Sequence, residues 1–282
     1  MAALELIDDW PVEHRAAAVL VDGDIVDDRG EVGLALPWAS VTKLATALSV
    51  LIAVDAGHLA LETPAGPPGS TVRHLLAHAS GLDFERPVVR TPPGTRRIYS
   101  NAGYETLADV VAARLGRSFA TWLDESVLEP LALTATALIG SPASGLVGPI
   151  ADLVGLAAEL QRPTLVSAAT AAEMARVAFG GLAGVLPGFG QQQPNDWGLG
   201  PEIRGIKDPH WTGRMSSPTT FGHFGAAGGF VWVDPVANVA CCCLTASPFG
   251  PWAAEAWPVL SDRVLEGHRR AGASRTGVTG GS

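Results

Sequence analysis

The chain has 282 residues, of which 47% are hydrophobic, and a formal net charge of -9 at pH 7. This length and composition suit a globular protein with a substantial core. Because the 19 Lys and Arg residues are scattered and form no basic stripe, nucleic acid is not an expected partner.

The amino terminus lacks the features of an export signal. Glu5, Asp8 and Asp9 lie where such a signal would place positive charge followed by an apolar run. The longest apolar run, 44–54, has eleven residues and is too short to span a bilayer. We therefore expect a cytoplasmic protein with no membrane partner.

The first predicted element is a hairpin over 14–28, with its turn at Asp22-Gly23. A long helix is predicted from Ser40 to Gly57, because this segment is rich in Ala, Leu and Val, lacks proline and stops at a glycine. Further helices are expected over 70–78, 104–115, 125–137, 150–160 and 167–178.

The carboxy-terminal part returns to β-structure in this interpretation. A strand is proposed at 197–203 within a loop-rich stretch, and two clearer strands follow at 228–234 and 236–245. The last helix is predicted over 252–269, and residues 271–282 are expected to form a flexible tail. Strands at both ends and helices in the middle predict an α+β protein whose sheet is built from both termini. We expect a single domain over 1–270, with a helical lobe at about 60–180.

The cysteines and two of the histidines are spaced in ways that bear on metal and disulfide chemistry. Cys241, Cys242 and Cys243 are adjacent in a β-like run, which predicts buried free thiols, with metal or redox chemistry as the alternative. His74 and His78 are four residues apart and could share a helix face, but no third ligand accompanies them. We predict structural histidines, no metal and no cofactor.

The long helix begins with the pattern Ser40-Val-Thr-Lys43. Residues i and i+3 share one helix face, so the Lys43 amine can reach the Ser40 hydroxyl. Burial in an apolar helix lowers the pKa of a lysine, which would make Lys43 a base. The alternative is that Ser40 only caps the helix and Lys43 extends to solvent.

Two more polar motifs follow in order, Tyr99-Ser-Asn101 and His223-Phe-Gly225. Together with S-x-x-K they resemble the serine β-lactamase and penicillin-binding-protein superfamily, most closely the branch of class C β-lactamases, D,D-carboxypeptidases and family VIII esterases. Segments 71–82, 99–104 and 221–226 are similar as well, and the resemblance covers roughly 15–265. It implies a β-lactamase-like fold with an antiparallel sheet, flanking helices and a reduced, mainly helical lobe.

The resemblance also implies roles for the motif residues. Ser40 would be the nucleophile, and Lys43 would take its proton or hold it in a network. Tyr99 would act as a phenolate base if the neighbouring lysine lowers its pKa, which leaves open whether Tyr99 or Lys43 is the base. Asn101 would fix the lysine and a substrate carbonyl or amide.

The third motif would shape the rest of the site. Gly225 would let a strand approach substrate closely, and the N–H groups of Ser40 and Ala226 would form an oxyanion hole. Phe224 and Trp38 are the candidate substrate-binding side chains of an apolar acyl pocket. Trp197 and Trp211 could also line it, with plain core packing as the alternative for each tryptophan.

His223 replaces the lysine of K-T-G, and a histidine is only partly charged near neutrality. This departure, with the short lobe and the missing export signal, favours a serine hydrolase that acts as a carboxylesterase or amidase on small-molecule esters or amides. The alternatives are a β-lactamase, a D,D-carboxypeptidase, an acyltransferase, and a binding or sensor protein that is acylated once. The sequence does not predict the oligomeric state.

Overall fold

A computed structural model describes residues 3–276. Its strands are β1 Arg15–Val21, β2 Asp24–Gly30, β3 Leu36–Pro37, β4 Ala137–Leu138, β5 Leu146–Gly148, β6 Gly184–Leu186, β7 Gly190–Gln192, β8 Glu202–Ile203, β9 Phe221–Gly225, β10 Gly229–Asp234 and β11 Val239–Thr245. Its α-helices are α1 Thr42–Asp55, α2 Val72–Leu76, α3 Asn101–Leu115, α4 Phe119–Leu123, α5 Ile150–Gln161, α6 Ala168–Met174 and α7 Pro251–Thr276. Short 3-10 helices at Ala3–Asp9 and Ala39–Val41 precede β1 and α1, and a π-helical turn, Asp124–Leu128, follows α4.

Six strands form the main sheet, in the order β2-β1-β11-β10-β9-β8. Every neighbouring pair is antiparallel. The amino-terminal hairpin joins the carboxy-terminal strands where β1 pairs with β11, from Arg15 opposite Thr245 to Val21 opposite Val239. The predicted α+β fold, with an antiparallel sheet built from both termini, is confirmed.

The central strands of the sheet, β1, β11, β10 and β9, are buried on both faces, which explains why they are almost wholly apolar. Along β11, side chains alternate between the two faces. Cys242 packs into the core shared with α1 and α5, whereas Cys241 and Cys243 pack into the core shared with α7. All three are free, buried thiols, as predicted, and burial raises the pKa of each.

Helix α1 lies at the centre of the molecule. Eleven of its fourteen residues are buried, so its few polar side chains need partners inside the protein. Thr42 accepts a hydrogen bond from the N–H of Leu146, and Thr46 donates to the carbonyl of Pro142. Lys43 lies in the first turn of this buried helix, where its amine also needs polar neighbours.

Some predicted elements differ from those observed. The helix predicted over 125–137 occurs earlier, as α4 and the π-helical turn, because Ser118 caps it by accepting a hydrogen bond from Thr121 N–H. Helix α3 begins at Asn101 rather than residue 104, because Ser100 caps it. The strand predicted over 197–203 shrinks to β8, since Pro201 has no N–H for the sheet.

The final helix is longer than predicted. Helix α7 contains Pro258 and runs to Thr276, six residues past the expected domain boundary at 270. Residues 277–282 of the predicted tail lie outside the described residues. Within 3–276, no helix combines the length and the apolar character needed to cross a bilayer.

Candidate active site

Ser40 lies in the short 3-10 turn that leads into α1. The residue before it, Ala39, has a φ of 45°, in the left-handed region that residues with a Cβ seldom adopt. Gly225 at the end of β9 packs against this turn. A Cβ at position 225 would lie 2.5 Å from the Trp38 carbonyl oxygen and 3.3 Å from the Ser40 nitrogen. Only glycine therefore lets β9 end against the backbone of Ser40.

The Lys43 side chain is fully buried behind Ser40. Its Nζ lies 2.6 Å from Asn101 Oδ1, 2.9 Å from the Ala143 carbonyl oxygen and 3.5 Å from Ser40 Oγ. Burial lowers the pKa of Lys43 to about 7, although two glutamates oppose the shift. A neutral amine has two hydrogens and one lone pair. It can donate to Asn101 and Ala143 and direct the lone pair toward the Ser40 hydroxyl.

Asn101 is oriented by a residue that the sequence did not single out. Its Nδ2 donates to Glu85 Oε1 at 2.9 Å, so the amide oxygen must face Lys43. Glu85 is exposed in a loop, and an exposed acidic loop residue carries no functional signal in the sequence. The glutamate also raises the pKa of Lys43, which links the loop to the proposed base.

Tyr99 faces the same group of side chains. Its ring centroid is 4.7 Å from Lys43 Nζ, and its hydroxyl lies 3.5 Å from His223 Nε2. Burial raises the pKa of Tyr99, and a hydrogen bond with Ser40 offsets only part of this effect. Tyr99 would act as a phenolate base only if the lysine lowered its pKa, and this condition is not met, because burial is the largest contribution to the pKa of Tyr99.

The contacts of His223 are those of a neutral imidazole. Its Nδ1 lies 2.7 Å from the Phe224 carbonyl oxygen, so Nδ1 carries the hydrogen and Nε2 presents a lone pair to the Tyr99 hydroxyl. Burial, with the positive charge of Lys43 as a second cause, lowers the pKa of His223 to about 3. His223 therefore supplies no charge for a substrate carboxylate at neutral pH.

His78 supports Tyr99 from behind. The two ring centroids are 4.5 Å apart, and His78 Nδ1 accepts a hydrogen bond from the N–H of Ser100. Its Nε2 has no hydrogen-bond partner among the described residues, but the ring meets Trp197 edge-on at 4.7 Å. Its predicted packing and hydrogen-bonding role is confirmed. His74 instead contacts Thr71.

Ser40, Tyr99 and His223 line a cavity of about 130 Å³, which we call the acyl cavity. Its lining residues are Ser40, Phe84, Tyr99, Leu186, Pro187, Trp197, Glu202, His223, Phe224, Ala226 and Phe249. Most of this lining is aromatic or aliphatic, as in small-molecule sites generally. Leu186 and Phe249 come from segments far apart in sequence, so no local pattern could have identified them.

The tryptophans expected at the acyl pocket divide into two groups. Trp197 lines the acyl cavity, as Phe224 does. Trp38 is fully buried, and its indole donates to the Gly148 carbonyl at 3.1 Å. The expectation that Trp38 contacts substrate is wrong, because this side chain packs in the core behind the turn. Trp211 is likewise buried.

Comparisons with known proteins show which family and which solved structures this chain is similar to. A beta-lactamase family model matches residues 16–264. Among solved structures, a beta-lactamase from Mycobacterium bovis is 49% identical, with a TM-score of 0.93 and coverage of 95% of this chain and 99% of that chain. The match to the D-alanyl-D-alanine-carboxypeptidase/endopeptidase AmpH of Escherichia coli (strain K12) is partial, with 26% identity over 141 residues and 37% of each protein covered.

Two more distant structures show the fold alone. EstCE1, described as a hydrolase with promiscuous acyltransferase activity, is 17% identical with a TM-score of 0.77, covering 93% of this chain and 96% of that chain. The octameric penicillin-binding protein homologue from Pyrococcus abyssi is 19% identical with a TM-score of 0.73, covering 96% of this chain and 76% of that chain. Because the family model matches residues 16–264, which is most of the chain, this protein belongs to the beta-lactamase family of serine hydrolases.

Proposed function

We propose that the protein is a carboxylesterase or amidase that forms an acyl-enzyme on Ser40 with small acyl substrates. The observation that carries this proposal is the contact of Ser40 Oγ with Nζ of Lys43, a buried amine with a pKa of about 7. A base is most effective when its pKa lies near the working pH. Ser40 lines a largely apolar cavity that suits an acyl group.

Acylation begins when neutral Lys43 takes the Ser40 proton and Oγ attacks the substrate carbonyl carbon. The carbonyl oxygen becomes an oxyanion, which the N–H groups of Ser40 and Ala226 would stabilise. Gly225 supports this assignment, because its close approach brings the end of β9 against the Ser40 nitrogen. Loss of one oxyanion-hole donor typically costs about 2.7–4 kcal/mol.

Collapse of the tetrahedral intermediate requires a proton for the leaving atom. Tyr99 keeps its proton because burial raises its pKa, so it can donate this proton to the leaving oxygen or nitrogen. The Lys43 ammonium then restores the proton to Tyr99. Deacylation reverses these transfers, with water as the nucleophile. The lowered pKa of Lys43 favours it as the base, whereas the raised pKa of Tyr99 keeps the phenol protonated and argues against a phenolate base.

Two features favour small esters or amides over β-lactams. His223 is neutral, with a pKa of about 3, where a K-T-G lysine would offer a permanent charge to the carboxylate of a bound β-lactam. The acyl cavity has a volume of about 130 Å³, which is room for about four water-sized groups. A short acyl chain fits this space.

The test is hydrolysis of para-nitrophenyl acetate, followed by product release and by intact mass. Wild type should turn over and carry one acetyl group on Ser40, and Ser40→Ala should lose at least about 10⁴-fold in rate. Ser118→Ala, at the distant cap of α4, is the matched control and should keep its activity. Full activity in Ser40→Ala, or acetylation of another serine, would refute the proposal.

A β-lactamase or D,D-carboxypeptidase is the second candidate, favoured by the 49% identity to a structure described as a beta-lactamase. A chromogenic cephalosporin and a peptide ending in D-Ala-D-Ala should be assayed beside the ester. Faster turnover of either would favour this candidate. A single stable adduct would indicate a sensor, and transfer to an added alcohol would indicate an acyltransferase.

A further inference from the structure

We propose that the enzyme selects substrates whose leaving group carries an anion, either a carboxylate or a phosphate, and that Arg96 binds this anion. The inference rests on the proposed function, because it assigns a substrate class to the same site. The inference is based on a second cavity, which we call the outer cavity. The arginines that line this cavity differ in whether a carboxylate pairs with them.

The outer cavity has a volume of about 600 Å³ and adjoins the acyl cavity. The two share Phe84, Tyr99 and Pro187 in their linings. A volume of this size lies within the usual range of small-molecule sites. A substrate attacked by Ser40 can therefore extend past Tyr99 into the outer cavity.

The lining of the outer cavity is cationic. Arg90, Arg96 and Arg97 all contribute to it, and none of its lining residues in the described part of the chain is Asp or Glu. Arg90 is neutralised by Asp83, at 2.6 Å. Arg97 is buried and donates only to backbone carbonyls, at four positions. Arg97 forms no salt bridge within residues 3–276, and although the negative charge of Asp196 acts on it, its guanidinium adds positive potential to the cavity.

Arg96 is the arginine available to a ligand. Its side chain is exposed, and it makes no hydrogen bond or ion pair with any residue between 3 and 276. A guanidinium presents a planar fork of donors that matches a carboxylate or a phosphate in a two-point contact. Arg90, held by Asp83, lacks this freedom.

The position of Tyr99 decides which half of the substrate reaches Arg96. In the proposed mechanism Tyr99 gives its proton to the leaving atom, so the leaving group lies on the Tyr99 side of Ser40. The outer cavity begins at this side chain. Phe84 and Val185, which are 48% and 53% exposed, offer apolar surface for the body of the leaving group. The favoured substrate is thus a short-chain ester of an apolar alcohol or phenol that bears an anion.

The experiment compares three acetyl esters: para-acetoxybenzoate, its methyl ester, and para-acetoxyphenyl phosphate. The measured quantity is the ratio of kcat/KM for each anionic ester to kcat/KM for the methyl ester. In Arg96→Gln this ratio should fall about 2- to 5-fold for the anion that the site binds, the range for an exposed charge pair. Arg96→Lys should recover part of the loss. Comparing the fall in this ratio for the carboxylate ester with that for the phosphate ester shows which anion is preferred.

Arg86→Gln is the matched control, because Arg86 is an exposed arginine of the same loop region that does not line the outer cavity. Its ratios should equal those of wild type. Unchanged ratios in Arg96→Gln for both anions, or equal losses in both variants, would overturn the inference. If wild type hydrolyses none of the three esters, the proposed function fails instead.

Discussion

At the scale of single residues, Lys43 shows how burial makes a common side chain reactive. The surrounding core holds its helix in place, and within residues 3–276 its amine has three hydrogen-bond partners. Loss of hydration outweighs the attraction of Glu85 and Glu105, so the pKa falls to about 7. At neutral pH a large fraction of Lys43 is neutral and can accept a proton.

The first prediction concerns pH. The reactive form of Lys43 is the deprotonated amine, so kcat/KM for para-nitrophenyl acetate should rise with pH and level off above an apparent pKa of about 7. Initial rates measured between about pH 5 and pH 9 test this. A profile that stays flat through neutrality would remove Lys43 from the role of base.

The second prediction uses Glu85 to move that profile. Glu85→Gln keeps an oxygen for the Asn101 amide but removes a negative charge that raises the pKa of Lys43. The midpoint should therefore shift to lower pH, by about 0.2–0.7, because Glu85 is exposed and its charge is screened. Glu13→Gln, remote and exposed, should leave the midpoint in place. A shift to higher pH would contradict the assignment.

The third prediction separates an acid from a base at Tyr99. Tyr99→Phe should lower turnover of an alkyl ester by at least about 100-fold, because the leaving alkoxide needs a proton. Para-nitrophenoxide is a better leaving group, so the loss with para-nitrophenyl acetate should be smaller. Equal losses on both substrates would indicate that Tyr99 acts before the leaving group departs, as a base would.

At the scale of elements, the site depends on how β9 meets the start of α1. The two elements are remote in sequence, and their contact places the end of a strand against the nucleophile turn. Gly225 and the left-handed Ala39 are the local adjustments that permit it. Neither adjustment involves a reactive side chain. Both affect the position of the backbone N–H groups that form the proposed oxyanion hole.

The fourth prediction tests this contact. Gly225→Ala would place a Cβ 2.5 Å from the Trp38 carbonyl oxygen, which forces β9 away from Ser40 and should lower kcat by at least about 100-fold. Gly267→Ala is the control, because a Cβ there meets nothing within 4 Å and alanine favours a helix. Circular dichroism should show both variants folded. Normal turnover in Gly225→Ala would show that the close approach is dispensable.

At the scale of the whole molecule, a buried ionic cluster ties the edge of the sheet to the following loop. Glu202 on β8 lies 2.8 Å from Lys207 Nζ and 2.9 Å from His210 Nε2, and all three side chains are buried. Burial alone would raise the pKa of Glu202, but Lys207 and His210 lower it overall. Its contribution to stability is therefore present at neutral pH and lost only as the solution becomes strongly acidic.

The fifth prediction follows from this cluster. Glu202→Gln leaves Lys207 buried without a carboxylate, so the free energy of unfolding should fall by about 3–5 kcal/mol. Urea denaturation at neutral pH measures the change, and Glu13→Gln, an exposed site, should be near neutral. A loss below about 1 kcal/mol would mean that the carbonyl contacts of Lys207 suffice without the carboxylate.

The sequence by itself determined the features that depend on short spacing along the chain. Ser40 and Lys43 share one helix face because an α-helix repeats every 3.6 residues. The amino-terminal hairpin and the β10–β11 pair follow from short apolar runs separated by turn residues. The order of the three motifs was sufficient to predict the α+β fold and the family.

Only the tertiary structure decided the features that depend on burial and on contacts between distant segments. Trp38 and Trp197 are the same residue type, yet one packs in the core and the other lines the acyl cavity. The raised pKa of Tyr99 depends on the desolvation produced by several elements together. Arg90 and Arg96 differ only in whether the folded chain brings a carboxylate to them. Local spacing contains none of this information, because it arises from side chains that meet only when the chain has folded.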